Sequence, residues 1–261
     1  MDAILGFLAA IGRTTLAFFG VAGRLSLFAA RGVGASLTPP LYGRLLVRQM
    51  LSIGYYSLPV VGLTAVFTGM VLALQIFLGS ARFNAESAVA SIVVIGITRE
   101  LGPVIAGLMM AGRVGAAIAA EIGTMRVTEQ IDALTTLSTN PFRYLVAPRL
   151  LAAAVTLPIL VLMADAIGVF GAYMVGTLKL GFTPYSYLNS TLDFLEVQDV
   201  VSGLVKAAVF GFIIALMGCY HGYYSRGGAQ GVGAAATNAV VSASILLLSA
   251  DYILTEIFFV Q

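Results

Sequence analysis

The chain lacks tryptophan and has a single histidine and a single cysteine among 261 residues. His221 and Cys219 cannot form the Cys/His cluster that binds a structural metal, and one cysteine excludes an internal disulfide. No metal site, catalytic constellation or cofactor held by this chain itself is expected. Charge is scarce as well. Only 10% of residues are charged, whereas an ordinary soluble domain carries about 25%. A net charge of +2 gives no reason to expect nucleic acid as a partner. The glycine-rich run from Gly227 to Gly233 lacks the Lys-Ser/Thr ending of a phosphate loop and follows an apolar run rather than a strand. Energy from ATP would therefore have to come from another polypeptide.

What the chain has instead is apolar length: 59% of residues are hydrophobic and the mean hydropathy is +0.98. The expected fold is an all-α integral membrane protein with one membrane domain. Five spans are predicted, at about 51–78, 87–113, 149–178, 200–222 and 235–258. Residues 1–40 are set apart. Arg13, Arg24 and Arg31 interrupt their apolar run, so they do not resemble a cleaved signal peptide. The three arginines fall on one stripe of a helical wheel, which predicts an amino-terminal interfacial helix in the headgroup plane, ending between Gly32 and Pro40. The alternative is a helix packed on the bundle with a solvated Arg edge. With the amino terminus in the cytoplasm, Arg13, Arg24, Arg31, Arg44, Arg48, Arg113, Arg126, Arg143, Arg149 and Arg226 all lie inside. Only Arg82 and Lys179 lie outside, and five spans then place the carboxyl terminus in the periplasm.

Two loops carry pattern. In the inner loop 114–148, Val127, Ile131, Leu134 and Leu137 recur at helical spacing, with Arg126, Glu129 and Asp132 on the other side. An amphipathic helix at about 121–138 is predicted, its mixed charge suiting a protein partner better than a lipid surface. In the outer loop 179–199, Thr183-Pro184 reads as an N-cap followed by proline at N1 and predicts a short interfacial helix at about 184–197. Small residues four apart (Gly69/Ala73, Ala111/Gly115, Gly168/Ala172, Gly218/Gly222) permit close helix packing without being specific.

The strongest functional signal is Thr-Arg-Glu-Leu-Gly-Pro at 98–103. From a start at Ser87, Arg99 lies about 18 Å along the span, near the midplane of a roughly 30 Å core. A charge there costs about 2.5–3.5 kcal/mol on insertion scales, so it persists where a cavity or partner receives it. Arg99 and Glu100 lie about 100° apart on a helix and do not pair face to face. Pro103 has no N–H for the carbonyl of Arg99, which frees an acceptor at the charged position and favours a kink. Lys206, seven residues past Asp199, reads either as a snorkelling anchor or as a cation lining the same cavity as Arg99 and Glu100. Asp165 and Asp251 read as buried hydrogen-bonding groups or substrate contacts. Gln75 lines the pathway or merely packs.

The stretch from Ile95 through ITRELGPVIAGLMMAGRVGAAIAAEIGTMRVTEQIDAL to Leu134 resembles the signature region of the MlaE permease family, the membrane subunits of maintenance-of-lipid-asymmetry ABC transporters. Val47-Arg48-Gln49, the run Gly69 to Gln75 and Asn140-Pro141 fit it too, so the resemblance covers essentially the whole chain. It implies a homodimeric permease with five spans, an amino-terminal interfacial helix and a cytoplasmic coupling helix. The partners it implies are two ABC ATPase subunits that bind ATP and Mg, a STAS-domain protein and a periplasmic MCE-domain hexamer. The cargo it implies is phospholipid, moved between a bacterial inner membrane and the periplasmic carriers. Arg99, Glu100 and Lys206 match the family's charged cavity positions. Glu121 to Leu137 matches its ATPase contact and includes Arg126, Glu129, Gln130 and Asp132. Two other classes stay open: an ion-coupled secondary carrier for an amphiphilic anion, with Glu100 taking up the ion, and an intramembrane lipid enzyme. The second is opposed by the missing catalytic constellation.

Overall fold

The computed structural model describes residues 2–39, 42–83 and 88–259. Pro40 and Ser87, expected ends of the amino-terminal helix and the second span, lie outside the described residues. Among those described, every regular element is helical: α1 (Asp2–Leu37), α2 (Gly43–Ile53), α3 (Leu58–Ser80), α4 (Val89–Gly96), α5 (Gly102–Met110), α6 (Ala116–Val127), α7 (Gln130–Thr136), α8 (Ala147–Leu178), α9 (Pro184–Phe194), α10 (Val197–Tyr223) and α11 (Gly228–Phe259). Several run together, so that six helical stretches are long and apolar enough to cross a membrane: 15–37, 43–80, 89–127, 142–178, 197–223 and 228–259.

Five of these stretches overlap the five predicted spans. The sixth belongs to α1, which passes Gly32 and Gly34 unbroken and ends at Leu37, within the predicted break between Gly32 and Pro40. Arg13, Arg24 and Arg31 are all exposed on it, as the stripe requires, and Phe28 anchors it, 2% exposed among Phe142, Tyr220 and Tyr223. By length and apolarity α1 qualifies for a crossing as well as for the headgroup plane.

The core forms around α10, which packs on α8, α11 and α6, while α3 lies along the outer side of α8. All eight small residues noted in the sequence are buried at helix contacts. At the α3–α8 crossing the backbones are so close that a Cβ on Gly69 would run into the carbonyl of Gly168. Gly218 likewise faces the carbonyl of Gly115 on the neighbouring stretch. Lipid tails are as apolar as leucine, so such close approach, rather than hydrophobic exclusion, holds these helices together.

The 89–127 stretch is interrupted by two π turns, Ile97–Leu101 and Ala111–Gly115. The first precedes Pro103, whose missing N–H and ring clash forbid the regular bond to Arg99. A third, Phe142–Val146, stands in the same relation to Pro148.

Both loop helices are shorter than predicted. Glu129 adopts a left-handed conformation (φ 60°), which ends the membrane helix at Val127 and starts α7 at Gln130, so the expected continuous helix over 121–138 is two pieces. Of its four apolar positions only Ile131 is buried (1%) and Leu134 packs partly. Val127 and Leu137 are 37% and 75% exposed. At the other end α9 keeps its predicted start, with Thr183 Oγ1 accepting from the N–H of Ser186, but stops at Phe194. Glu196 and Asp199 then form a reciprocal capping box that opens α10.

Candidate functional site

The π turn at Ile97–Leu101 swings two adjacent charges toward α10 and α11. Arg99 Nε pairs with Asp199 Oδ1 at 2.5 Å, and Asp199, fully buried, gives its other oxygen to the N–H of Glu196. Lys206 is also fully buried and is the hub of the cluster. Its Nζ lies 2.8 Å from Glu100 Oε2 and 3.0 Å from Asp251 Oδ1. It also donates to Thr255 Oγ1 at 2.8 Å and to the carbonyl of Arg99 at 3.0 Å. That carbonyl is the acceptor freed by Pro103, so the proline and the lysine complete one arrangement from two helices. Thr255 donates in turn to Glu100 Oε1 at 3.0 Å, and the Arg99 guanidinium lies 4.3 Å from the centre of the Phe259 ring.

The geometry corrects two expectations. Lys206 is not a free cation awaiting an anion, nor does it snorkel. A four-carbon stem with three donors, fully desolvated, is held by two carboxylates, a hydroxyl and a carbonyl. The cluster as a whole has no excess of positive charge, because Arg99 and Lys206 are balanced by Glu100, Asp199 and Asp251. Nor does Arg99 stand midway between helix ends: it is level with the first turn of α10 and the last described turn of α11. The member left toward the surroundings is Arg99, 30% exposed, with Glu100 at 37%.

Gln75 does not join this group. It is exposed on α3 and lines a groove of about 370 Å³ with Phe67, Thr68, Val71, Leu72 and Leu101. Asp165 stays apart as well. It is 6% exposed on α8, its Oδ1 has no hydrogen-bond partner among the described residues, and a Cβ on Gly102 would collide with that oxygen.

The expected coupling residues gather at the opposite end. Arg126 and Asp132 pair at 2.6 Å across the break between α6 and α7. Gln130 bonds Thr128 at 3.0 Å, and Glu129 is exposed at the turn. Glu121 turns inward instead, 2.9 Å from Arg149, a side chain 5% exposed. Among the described residues no group of three or more His, Cys, Asp or Glu could hold a metal ion.

Three participants escaped the sequence reading. Asp199 fell at the end of the outer loop, past the helix predicted at about 184–197, although an acid three residues after Glu196, opening an apolar run, is a capping signal. Thr255 and Phe259 carried no signal, since their partners Lys206, Glu100 and Arg99 lie on other helical stretches, far away in the chain.

Comparison with known proteins agrees over nearly the full length. The family profile described as Permease MlaE matches residues 46–257. A probable ABC transporter permease protein of Rickettsia felis is 57% identical over 256 residues, covering 98% of this chain and 99% of that one. A probable ABC transporter permease protein of Synechocystis is 39% identical over 213 residues, covering 82% and 81%. The intermembrane phospholipid transport system permease protein MlaE of Haemophilus influenzae is 34% identical over 260 residues, covering 98% of each chain. With a multi-pass helical fold and this extent of match, the chain belongs to the MlaE permease family.

Proposed function

We propose that the chain is the membrane subunit of an ABC transporter that moves phospholipid between a bacterial inner membrane and a periplasmic MCE-domain hexamer, maintaining outer-membrane lipid asymmetry. It works as a homodimer with two ATPase subunits, which bind ATP and Mg, and with a STAS-domain protein. This chain holds no cofactor. The name of the Haemophilus influenzae relative supports phospholipid as cargo, and the names of the others support an ATP-driven partner. The protein sits in the inner membrane, and the distribution of arginines supports a carboxyl terminus in the periplasm with α1 lying in the headgroup plane and five helical stretches crossing.

The observation that carries this reading is the state of Arg99. Its Nε is committed to Asp199, its face to Phe259, and its remaining N–H groups make no hydrogen bond among the described residues. A guanidinium fixed in place with donors to spare can receive a phosphodiester. Glu100 and Lys206 hold it in position. Gln75 lines a separate apolar groove suited to acyl chains, and Arg126, Glu129, Gln130 and Asp132 form the face toward the ATPase, with Glu121 turned inward behind it to Arg149.

The test is transport of labelled phospholipid by the complete reconstituted complex, with and without ATP. Loss of a charge-assisted hydrogen bond is worth about 1.5–3 kcal/mol, so Arg99→Gln should slow ATP-driven transport by about ten- to a hundredfold while the complex still assembles. Wild-type transport by that variant would remove Arg99 from the lipid path. Reversing Glu129 should weaken ATPase co-purification without affecting membrane insertion. A reporter after Gln261 should be active only in the periplasm.

A further inference from the structure

Two cavities at the α7 end, of about 430 and 220 Å³, share Gln49, Ser52 and Glu121 and form one trench between α2, α6 and α8. Arg48, Arg113 and Arg149 line it, and Glu121 is the one acid on its walls. Arg149 is 4% exposed. Its Nη1 donates to the carbonyl of Leu145 at 2.6 Å, its Nη2 pairs with Glu121 at 2.9 Å, and its buried Nε has no partner among the described residues. Arg113 donates only to the neutral hydroxyl of Ser57, and Arg48 forms no ion pair among the described residues. One carboxylate thus faces three guanidinium groups. At the Lys206 end the reverse holds, with three carboxylates for two cations.

We infer that this trench is a second anion site, which takes the phosphate of an anionic phospholipid headgroup from the adjacent leaflet. Guanidinium forks match phosphate oxygens, and Gln49, Ser52 and Tyr144 add neutral hydrogen-bonding groups to the same wall. The surroundings favour a lipid over a soluble anion. Tyr55 and Tyr56, exposed with ring centres 5.5 Å apart, follow the trench-lining face of α2, and Tyr42 packs on Tyr144 at 5.5 Å. Tyrosines collect at the depth of lipid headgroups. Val47 and Leu51 on the outer face of α2 are 57% and 53% exposed, which places an apolar surface for an acyl chain beside the trench. The choice of lipid rests on the permease reading, whereas the excess of positive charge does not.

The experiment uses the purified full-length chain in phosphatidylcholine nanodiscs that contain a minor fraction of alkyne-labelled phosphatidylglycerol, with a photo-crosslinking residue at position 52. The wild-type chain should capture labelled phosphatidylglycerol in clear preference to labelled phosphatidylcholine. Arg48→Gln, at an exposed position, should lower that capture by on the order of tenfold, the loss of one charge-assisted contact. Arg48→Lys should retain part of it. Adding Arg113→Gln should lower it further, and Arg48→Gln alone carries the test if the double variant does not assemble. Millimolar inorganic phosphate should leave capture unchanged. Equal capture of both lipids, or capture indifferent to Arg48→Gln, would overturn the site, and competition by inorganic phosphate would overturn the lipid source. The readout needs neither ATP nor transport. Intact capture with no ATP-driven transport would sink the permease reading and leave the site standing, and the reverse would sink the site alone.

Discussion

The two ends of the bundle treat charge in opposite ways. At the Lys206 end, five ionisable side chains from three helical stretches neutralise one another in a network whose hub is fully buried. At the α7 end, Arg126 and Asp132 pair in the open, 37% and 61% exposed, and Arg149 and Glu121 join a buried cation to a half-exposed acid. The same residue types thus have different consequences. A buried pair is costly to break because the surviving partner stays desolvated, while an exposed pair loses little because water replaces the partner. The first kind holds α10 and α11 to the π turn in one register. The second ties the α6–α7 break only by a solvent-screened pair.

The largest effect should come from removing the hub. Lys206→Ala leaves Glu100 and Asp251 facing each other with no cation and should cost about 3–5 kcal/mol, read by denaturant unfolding of the purified protein. Combining Lys206→Met with Glu100→Gln and Asp251→Asn should recover most of that loss. If the triple variant is as unstable as Lys206→Ala, the charges are not the reason. Next comes Glu121→Gln, which deprives Arg149 of its carboxylate at a half-exposed position and should cost about 1–3 kcal/mol. Arg126→Ala should cost under about 1 kcal/mol. A loss as large as that of Lys206→Ala would abolish the contrast between the ends. The smallest effect belongs to Tyr187 on α9, whose buried hydroxyl has no hydrogen-bond partner among the described residues. Tyr187→Phe should be neutral or slightly stabilising, because nothing is lost with the oxygen. Burial pushes this hydroxyl up to about 12. The folded state therefore favours the neutral ring, and the stability this lends below the ordinary tyrosine range near 10 should fade as pH rises toward 12. Ultraviolet titration of the wild type should show a late-ionising tyrosine that Tyr187→Phe removes.

Much was legible along the chain because it is written locally. Apolar runs and helix length locate the spans, Thr183-Pro184 marks the start of α9, and Pro103 identifies Arg99 as the residue whose carbonyl would need another donor. The small residues at four-residue spacing lie where helices meet, although no sequence rule says which pairs meet. The break at Glu129 left no trace in the chain, since neither glycine nor asparagine stands there to announce a left-handed residue.

By itself the amino-acid sequence determined that this is a helical membrane protein of the MlaE family type, and that Arg99, Glu100 and Lys206 had to find partners. Periodicity and desolvation cost act on every residue wherever its neighbours fall. Only the tertiary structure decided who those partners are: Asp199 for Arg99, Glu100 and Asp251 for Lys206, and Lys206 for the carbonyl that Pro103 leaves open. Those pairings depend on the register between helices. That register is set by close contacts such as Gly69 on Gly168, between residues roughly a hundred positions apart, which no local pattern can encode.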